Sequence, residues 1–163
     1  MESINIFKNI VMKMEVEERV KQILDQAGVK YKVLEHEPVY TSQQAADVRG
    51  VELKTGVKAL VVKTTEERYL MVLVRADKRA DLERIARLEK TKKVRLALPE
   101  EVKERAGCEI GSVPPFGIKE RLKTYMDETI LENKEVNFNI GKHTKSINMH
   151  AESLKKVVDA VMY

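Results

Sequence analysis

Three segments and one carboxylate in this 163-residue sequence have the residue types that chemistry requires. Lys58 stands at the head of the apolar run "VKALVV", and a loop rich in glycine and proline, "GSVPPFG", occupies residues 111–117. His143 lies in the segment "NIGKHTKSIN", and Asp127 begins "DETIL". Together they could supply a cation, a rigid backbone, an imidazole and a carboxylate.

Lys58 follows Gly56 and precedes an apolar strand. A lysine in that position is costly to bury unless its ammonium reaches water, an anion or a carbonyl oxygen. Two interpretations remain open: a residue of a binding site, or an edge lysine whose ammonium extends to solvent.

The loop has a backbone that is shaped in advance. Pro114 and Pro115 fix their own φ angles and restrict the preceding residues, while Gly111 and Gly117 permit geometry that other residues resist. The loop could therefore present backbone amides to a ligand oxygen or a base, or it could be a tight connector. It is not a phosphate-binding P-loop, because no Gly-Lys-Ser/Thr ends it.

His143 and Asp127 each allow a functional and a structural interpretation. His143, with Gly141 before it, belongs to a turn or strand end, as a proton donor or acceptor or as a surface residue. Asp127 could pair with Lys58 or bind an amine, or it could cap a strand.

Other chemistries have weak support. The three histidines have no metal-ligand spacing, so we expect neither a metal nor another cofactor. Cys108 is the only cysteine, which excludes an intrachain disulfide and leaves a thiol hydrolase as a minor alternative. No Gly-x-Ser-x-Gly elbow is present.

Composition limits the partners and the location. The net charge of +4 permits a nucleic-acid partner without requiring one. No apolar run approaches the roughly 18 to 20 residues of a membrane span, and residues 1–14 do not resemble a signal peptide. We expect a cytoplasmic protein with an N-terminal extension at 1–14 and one domain at 15–163.

Hydrophobic periodicity and capping signals predict twelve elements in the order α-β-α-β-β-α-β-α-β-β-β-α. The predicted helices are 15–27, 42–49, one beginning near 81, 99–107 and 151–161. The predicted strands are 29–37, 56–63, 68–76, 92–98, 126–131, 135–141 and 145–149. We expect a mixed α+β fold, with a mixed, largely antiparallel sheet or a small barrel flanked by helices.

The order of the short motifs resembles a known family. "EHEPVYT", "GVKALVV", "GSVPPFG", "MDETI" and "GKHTKSI" follow one another as in the YbaK family, the free-standing relatives of the editing insertion domain of bacterial prolyl-tRNA synthetase. The resemblance covers roughly residues 15–160 and implies metal-free deacylation of misacylated tRNA. Such editing is needed because a pocket built for proline cannot strongly reject a smaller amino acid.

The resemblance also implies roles for individual residues. Lys58 stands at the position of the family's essential lysine, which holds the terminal phosphate or substrate oxygens. Residues 111–117 would supply backbone contacts to the aminoacyl ester and the terminal adenosine. In this loop Gly117 is expected to be catalytic, and Gly111, Pro115 and Phe116 to bind substrate.

The remaining positions bear on the substrate. Asp127 aligns with an aspartate near the substrate amine, although its interval to His143 is a few residues shorter than in the synthetase domain. His143 matches a histidine that shapes the alanine pocket, and Gly141 and His143 are both expected to bind substrate. The cysteine-clearing members tend to have a tyrosine where this chain has Leu34, and they lack the histidine.

These features favour Ala-tRNA(Pro) as substrate, with tRNA as partner and prolyl-tRNA synthetase as a second candidate partner. The alternatives are a Cys-tRNA(Pro) or Ser/Thr-tRNA deacylase, a non-catalytic module that binds tRNA or a synthetase, and a hydrolase of small amino-acid esters or amides.

Overall fold

The computed structural model describes residues 14–163, so the predicted extension lies almost wholly outside the described residues. The helices are α1 (Val16–Ala27), α2 (Ser42–Arg49), α3 (Leu82–Glu89), α4 (Pro99–Ala106) and α5 (Ala151–Val157). The strands are β1 (Tyr31–Glu35), β2 (Val57–Thr64), β3 (Tyr69–Arg75), β4 (Val94–Leu96), β5 (Lys123–Met126), β6 (Glu135–Asn139), β7 (Lys145–His150) and β8 (Ala160–Met162). No helix in this part of the chain is long and apolar enough to cross a membrane.

The strands form two sheets. A five-stranded sheet has the order β4-β2-β3-β5-β8, and a three-stranded sheet has the order β1-β7-β6. Pairing is antiparallel except between β3 and β5 and between β5 and β8, which are parallel. The predicted mixed and largely antiparallel α+β class is confirmed. The barrel alternative is wrong, because neither sheet closes on itself within residues 14–163.

Local sequence signals predicted most of the helices and strands correctly. Thr41 and Gln44 form the predicted capping box at the start of α2, and Gly50 ends that helix in the left-handed conformation. Residues 57–64 and 69–75 form the predicted hairpin.

Two predicted elements near the C-terminus are wrong. The segment 126–131 is not a strand: most of it is a 3₁₀ helix, Glu128–Glu132, and the strand lies just before it in β5. The last helix ends at Val157 instead of 161, and β8 follows it. The parallel edge of β5 offers backbone hydrogen bonds to residues 160–162, and this tertiary pairing overrides the local helical periodicity.

The β2–β3 hairpin lies at the centre of the molecule. The side chains of Leu70 to Val74 are all at most 2% exposed, as their continuous apolar run predicts. One face of the hairpin packs with α1 and the three-stranded sheet, and the other packs with α3 and β5. Lys58, the second residue of β2, is therefore held by a rigid and dry support.

A buried carboxylate links α3 to β5. Glu89, whose side chain is 2% exposed, accepts bonds from Arg68 Nη1 at 2.8 Å and Lys123 Nζ at 2.6 Å, and it also contacts the hydroxyl of Tyr125. Burial raises the pKa of Glu89, but hydrogen bonds from these three partners outweigh it and lower the pKa to about 2.

We predict that Glu89→Gln lowers the melting temperature at pH 7 and that the difference from wild type shrinks as the pH falls from about 4.5 toward 2. A carboxylate whose pKa is lowered by folding stabilises the protein above its unfolded pKa and ceases to do so once it is protonated. Thermal unfolding between pH 7 and pH 2.5 measures this effect. Glu104→Gln, on the exposed side of α4, is the matched control; a difference that does not depend on pH would contradict the prediction.

Candidate active site

A cavity of about 240 Å³ lies where α2, the start of β2 and the loop after α4 meet. Its walls are mostly small apolar side chains. Examples are Ala45, Ala46, Val51, Ala59 and Val113. Small side chains of this kind leave room for a ligand without offering it many hydrogen bonds.

Lys58 lines this cavity, as the sequence predicted. Its side chain is half-buried, and Nζ donates a hydrogen bond to the carbonyl oxygen of Lys78 at 2.6 Å. Burial lowers the pKa of Lys58, an effect that the nearby charge of Asp77 partly opposes. One of the three ammonium donors is used in this bond, so the others can serve a ligand oxygen.

Gly111 also lines the cavity and has φ of +85°, which favours glycine. Its carbonyl oxygen accepts a hydrogen bond from Asn139 Nδ2 at 2.8 Å. A Cβ at this position would lie 3.5 Å from Cε1 of His143. Gly111, in the first part of the predicted loop, therefore lines the same cavity as Lys58 and lies close to His143.

His143 packs behind the cavity wall. Its Nδ1 lies 3.0 Å from the carbonyl oxygen of Val39, and its ring centroid lies 4.7 Å from that of Tyr40. A carbonyl only accepts, so Nδ1 carries the proton in this bond. Val39 and Tyr40 line the cavity whereas His143 does not, so His143 acts on the cavity through these residues and Gly111.

Gly141 connects the β6–β7 turn to the same loop. Its amide donates to the carbonyl oxygen of Ser112 at 2.8 Å. A Cβ at Gly141 would lie 3.1 Å from the side chain of Val16. Gly141 therefore supports the loop from outside the cavity and does not line it.

The second part of the loop faces a different cleft. Pro115, Phe116 and Gly117 line a cleft with Ile23 of α1 and other residues, and the ring of Phe116 stacks edge-on against Phe138 at 5.8 Å. The predicted substrate contacts of these three residues have no support in this geometry. The prediction assumed that one short loop faces one ligand, whereas Gly111 and Val113 line the first cavity and residues 115–117 line the second cleft.

Packing explains why residue 117 is glycine. A Cβ there would lie 2.9 Å from Cγ2 of Val20, and the carbonyl oxygen accepts a hydrogen bond from Arg19 Nε at 2.9 Å. Because α1 approaches so closely, there is no room for a side chain at this position.

Asp127 is a helix cap. Its Oδ1 accepts hydrogen bonds from the amide and the hydroxyl of Thr129, at 2.8 and 2.7 Å, at the start of the 3₁₀ helix. Asp127 is not among the residues that line the cavity. The expected contact with Lys58 or a substrate amine therefore lacks support.

Sequence reasoning missed Arg49, which lines the cavity at the end of α2. Its Nε donates to Ser146 Oγ and its Nη2 to Asn139 Oδ1, both at 2.9 Å. Burial lowers the pKa of Arg49 to about 10. An arginine in the last turn of a helix is common for electrostatic reasons, so its sequence position gave no reason to single it out.

The side chains of metal-ligating type and the single cysteine were the basis of two other expectations. Residues 14–163 contain no group of three or more His, Cys, Asp or Glu side chains that could hold a metal ion. Cys108 is buried, and burial raises the pKa of its thiol to about 11. At neutral pH the nucleophilic thiolate is therefore scarce.

Comparison with known proteins identifies the family. Residues 36–157 match the aminoacyl-tRNA editing domain. The chain belongs to that family. It is 34% identical over 134 residues to the multifunctional Ser/Thr-tRNA deacylase ProXp-y of Escherichia coli K12, a match that covers 80% of each protein. The family's named deacylases are hydrolases, and the chain is a hydrolase of this trans-editing type.

Two further likenesses support the resemblance to the synthetase domain. A crystal structure of a proposed trans-editing enzyme for prolyl-tRNA synthetase superposes with a TM-score of 0.81 and 31% identity, covering 92% of this chain and 96% of that one. The proline-tRNA ligase of Thermosipho melanesiensis is 34% identical over 127 residues, which are 76% of this chain and 22% of the ligase.

We predict that Gly117→Ala destabilises the protein by about 1 to 3 kcal/mol, because the added Cβ collides with α1. Denaturant unfolding measures the loss, and hydrolysis per folded molecule should be unchanged. Gly28→Ala is the matched control, since Gly28 also has a positive φ, of +67°, but no atom lies within 4 Å of an added Cβ. Lost hydrolysis with unchanged stability would instead support the catalytic role predicted from the sequence.

Proposed function

We propose that this protein hydrolyses the ester bond of tRNA that carries a wrong, small amino acid, with Ala-tRNA(Pro) as the first candidate. The observation that carries the proposal is the half-buried Lys58, which lines a small, largely apolar cavity and whose ammonium is anchored to the carbonyl oxygen of Lys78. A desolvated cation beside apolar walls is suited to a neutral ester whose oxygen becomes negative during hydrolysis.

In the proposed reaction a water molecule adds to the ester carbonyl carbon. Lys58 and the backbone near Gly111 stabilise the negative charge that develops on the carbonyl oxygen. The bond to the ribose oxygen then breaks, that oxygen takes a proton, and free amino acid and tRNA are released. The reaction is metal-free in this proposal, because the ester is already activated and positioned donors are sufficient to stabilise the oxyanion.

The source of the base follows from the cavity lining. Glu52 is the one carboxylate among the described residues that line the cavity; its side chain is 75% exposed and lies 3.5 Å from Lys54 Nζ. No histidine is in that lining. We therefore assign the activation of water to a free ribose hydroxyl of the substrate. An aminoacyl ester is already reactive, so this modest assistance is sufficient.

Alanine is proposed because the walls are apolar and His143 supports them through Tyr40 and Val39. Serine and threonine are the second candidate, since the E. coli relative is named a Ser/Thr-tRNA deacylase. Thr41 and Ser42 also line the cavity, and their hydroxyls are of the type that recognises a hydroxyl-bearing side chain.

The proposed partner is tRNA, and prolyl-tRNA synthetase is proposed as the source of the misacylated substrate. A purely tRNA-binding module is less well supported. A binding module has no need of a half-buried lysine in the wall of an apolar cavity, where burial opposes its charge.

We predict that Lys58→Ala lowers kcat/KM for Ala-tRNA(Pro) by about 100-fold or more, the effect of removing one oxyanion-stabilising donor. The melting temperature should stay the same or rise, because a half-buried ammonium is itself costly. Single-turnover deacylation and thermal unfolding are the measurements. Lys92→Ala, on an exposed residue, controls for the loss of one charge, and unchanged turnover in Lys58→Ala would refute the assignment.

We also predict that a panel of tRNAs carrying alanine, serine, threonine, cysteine and proline shows turnover of one or more of the wrong amino acids and none of proline, as an editing sieve for tRNA(Pro) requires. Assays at several salt concentrations separate the rival classes. Binding that is sensitive to salt but without turnover would indicate a module, and activity restricted to small esters would indicate a small-molecule hydrolase.

A further inference from the structure

Arg49 is a cation in the cavity wall without an acidic partner. Its guanidinium is half-buried, and the two side chains that it contacts, Ser146 and Asn139, are neutral. Within residues 14–163 no carboxylate lies within the 4.0 Å ion-pair distance of Arg49. Removing a guanidinium from water without giving it a counter-ion costs free energy. This indicates that the counter-ion of Arg49 comes from a ligand.

The orientation of Arg49 is built by its neighbours. Ser146 Oγ lies 2.7 Å from His36 Nε2, and His36 Nδ1 lies 2.9 Å from the carbonyl oxygen of Glu37. A carbonyl only accepts, so Nδ1 carries the proton in that bond. The Ser146 hydroxyl lies between two acceptors, His36 Nε2 and Asn139 Oδ1 at 3.3 Å, and with its proton on either side its oxygen accepts from Arg49 Nε.

Asn139 completes this arrangement on the other side. Its Oδ1 accepts from Arg49 Nη2 at 2.9 Å, and its Nδ2 donates to the carbonyl oxygen of Gly111 at 2.8 Å. The amide of Asn139 thus has both its acceptor and its donor engaged, which sets its orientation. A guanidinium has five N–H donors, and two of them are used in these bonds, so three remain for a ligand.

The rest of the cavity restricts what that ligand can be. Lys58 is a second cation in the lining, and the carboxylate of Glu52 is exposed and engaged with Lys54. A substrate ammonium is repelled by two cations, and a neutral hydroxyl cannot compensate a desolvated charge. The anions of an aminoacyl-tRNA 3′ end are its phosphodiesters, and a guanidinium matches their geometry.

We propose that Arg49 binds the phosphodiester that joins the terminal adenosine to the preceding cytidine, and that Ser146 and Asn139 are positioning residues for its guanidinium. This inference rests on the proposed function. The two cations then have different roles: Lys58 stabilises the reacting ester, and Arg49 binds the nucleotide to which the ester is attached.

The test compares two alanyl esters, one of the dinucleotide cytidylyl-adenosine, which has one phosphodiester, and one of adenosine, which has none. We expect Arg49→Gln to lower kcat/KM for the dinucleotide ester by about 10- to 100-fold, mainly through KM. The adenosine ester should be hydrolysed as well as by wild type. Arg49→Lys keeps the positive charge but loses the planar guanidinium with its paired N–H donors, so it should give an intermediate loss of kcat/KM for the dinucleotide ester.

Arg87→Gln is the matched control, because it removes the same charge from an exposed position on α3. It should change neither ester. An equal loss on both esters in Arg49→Gln would overturn the proposal, since Arg49 would then act on the ester or on the fold. A loss confined to seryl and threonyl esters would also overturn it, because Arg49 would then recognise a side-chain hydroxyl.

A binding measurement keeps this inference separate from catalysis. With unacylated tRNA ending in CCA, Arg49→Gln should make the slope of log K against log salt shallower by about 0.7 to 0.9, the contribution of one phosphate contact. A slope that is the same in Arg49→Gln and in wild type would refute the phosphate contact, whether or not the enzyme is active on the esters. Absence of turnover on all esters by the wild type would refute the proposed function alone.

The positioning role has its own readout. Ser146→Ala should raise KM for the dinucleotide ester several-fold and leave its kcat, and the adenosine ester, unchanged. A merely structural defect would lower activity on both esters together, and that result would remove Ser146 from the assignment.

Discussion

The burial of β3 on both faces is the constraint on which the site depends. The hairpin that β3 forms with β2 has apolar neighbours on each side, so Lys58 near the start of β2 has limited access to solvent. Its ammonium instead donates to the carbonyl oxygen of Lys78, just beyond the hairpin. The hairpin at the centre of the fold therefore also keeps a lysine partly desolvated at a fixed place. A rigid and partly dry cation costs stability, and this is the form in which it acts most strongly on a developing negative charge.

The three-stranded sheet has a supporting role. β6 and β7 and the turn between them provide Asn139, Gly141, His143 and Ser146, and each of these holds another part of the site in place. Asn139 contributes to the cavity lining, whereas the other three act from behind it. The site is thus built at the meeting of two sheets: one supplies the lysine, and the other orients the arginine and the first half of the loop.

The charges of the cavity differ from those inferred from the sequence. The prediction placed an aspartate near a substrate amine, but Asp127 is engaged with Thr129 at a helix start. The cavity instead contains two cations and an exposed glutamate. Under the proposed function, such a site attracts the anionic nucleotide end of the substrate, and selection among amino acids depends mainly on the size and polarity of the walls.

The sequence by itself determined the elements whose signals are local and the family to which the chain belongs. The capping box of α2, the central hairpin and the order of the motifs could all be read without coordinates, because caps, periodicity and short motifs depend on neighbouring residues. Lys58, Gly111 and the proximity of His143 followed from that order. Tertiary structure alone decided that the loop divides between two clefts, that Gly117 serves the packing of α1, that residues 160–162 join a sheet edge and that Arg49 faces the cavity. These features depend on contacts between residues that are about 35 to 100 positions apart, and no local pattern records which distant surface a side chain will meet.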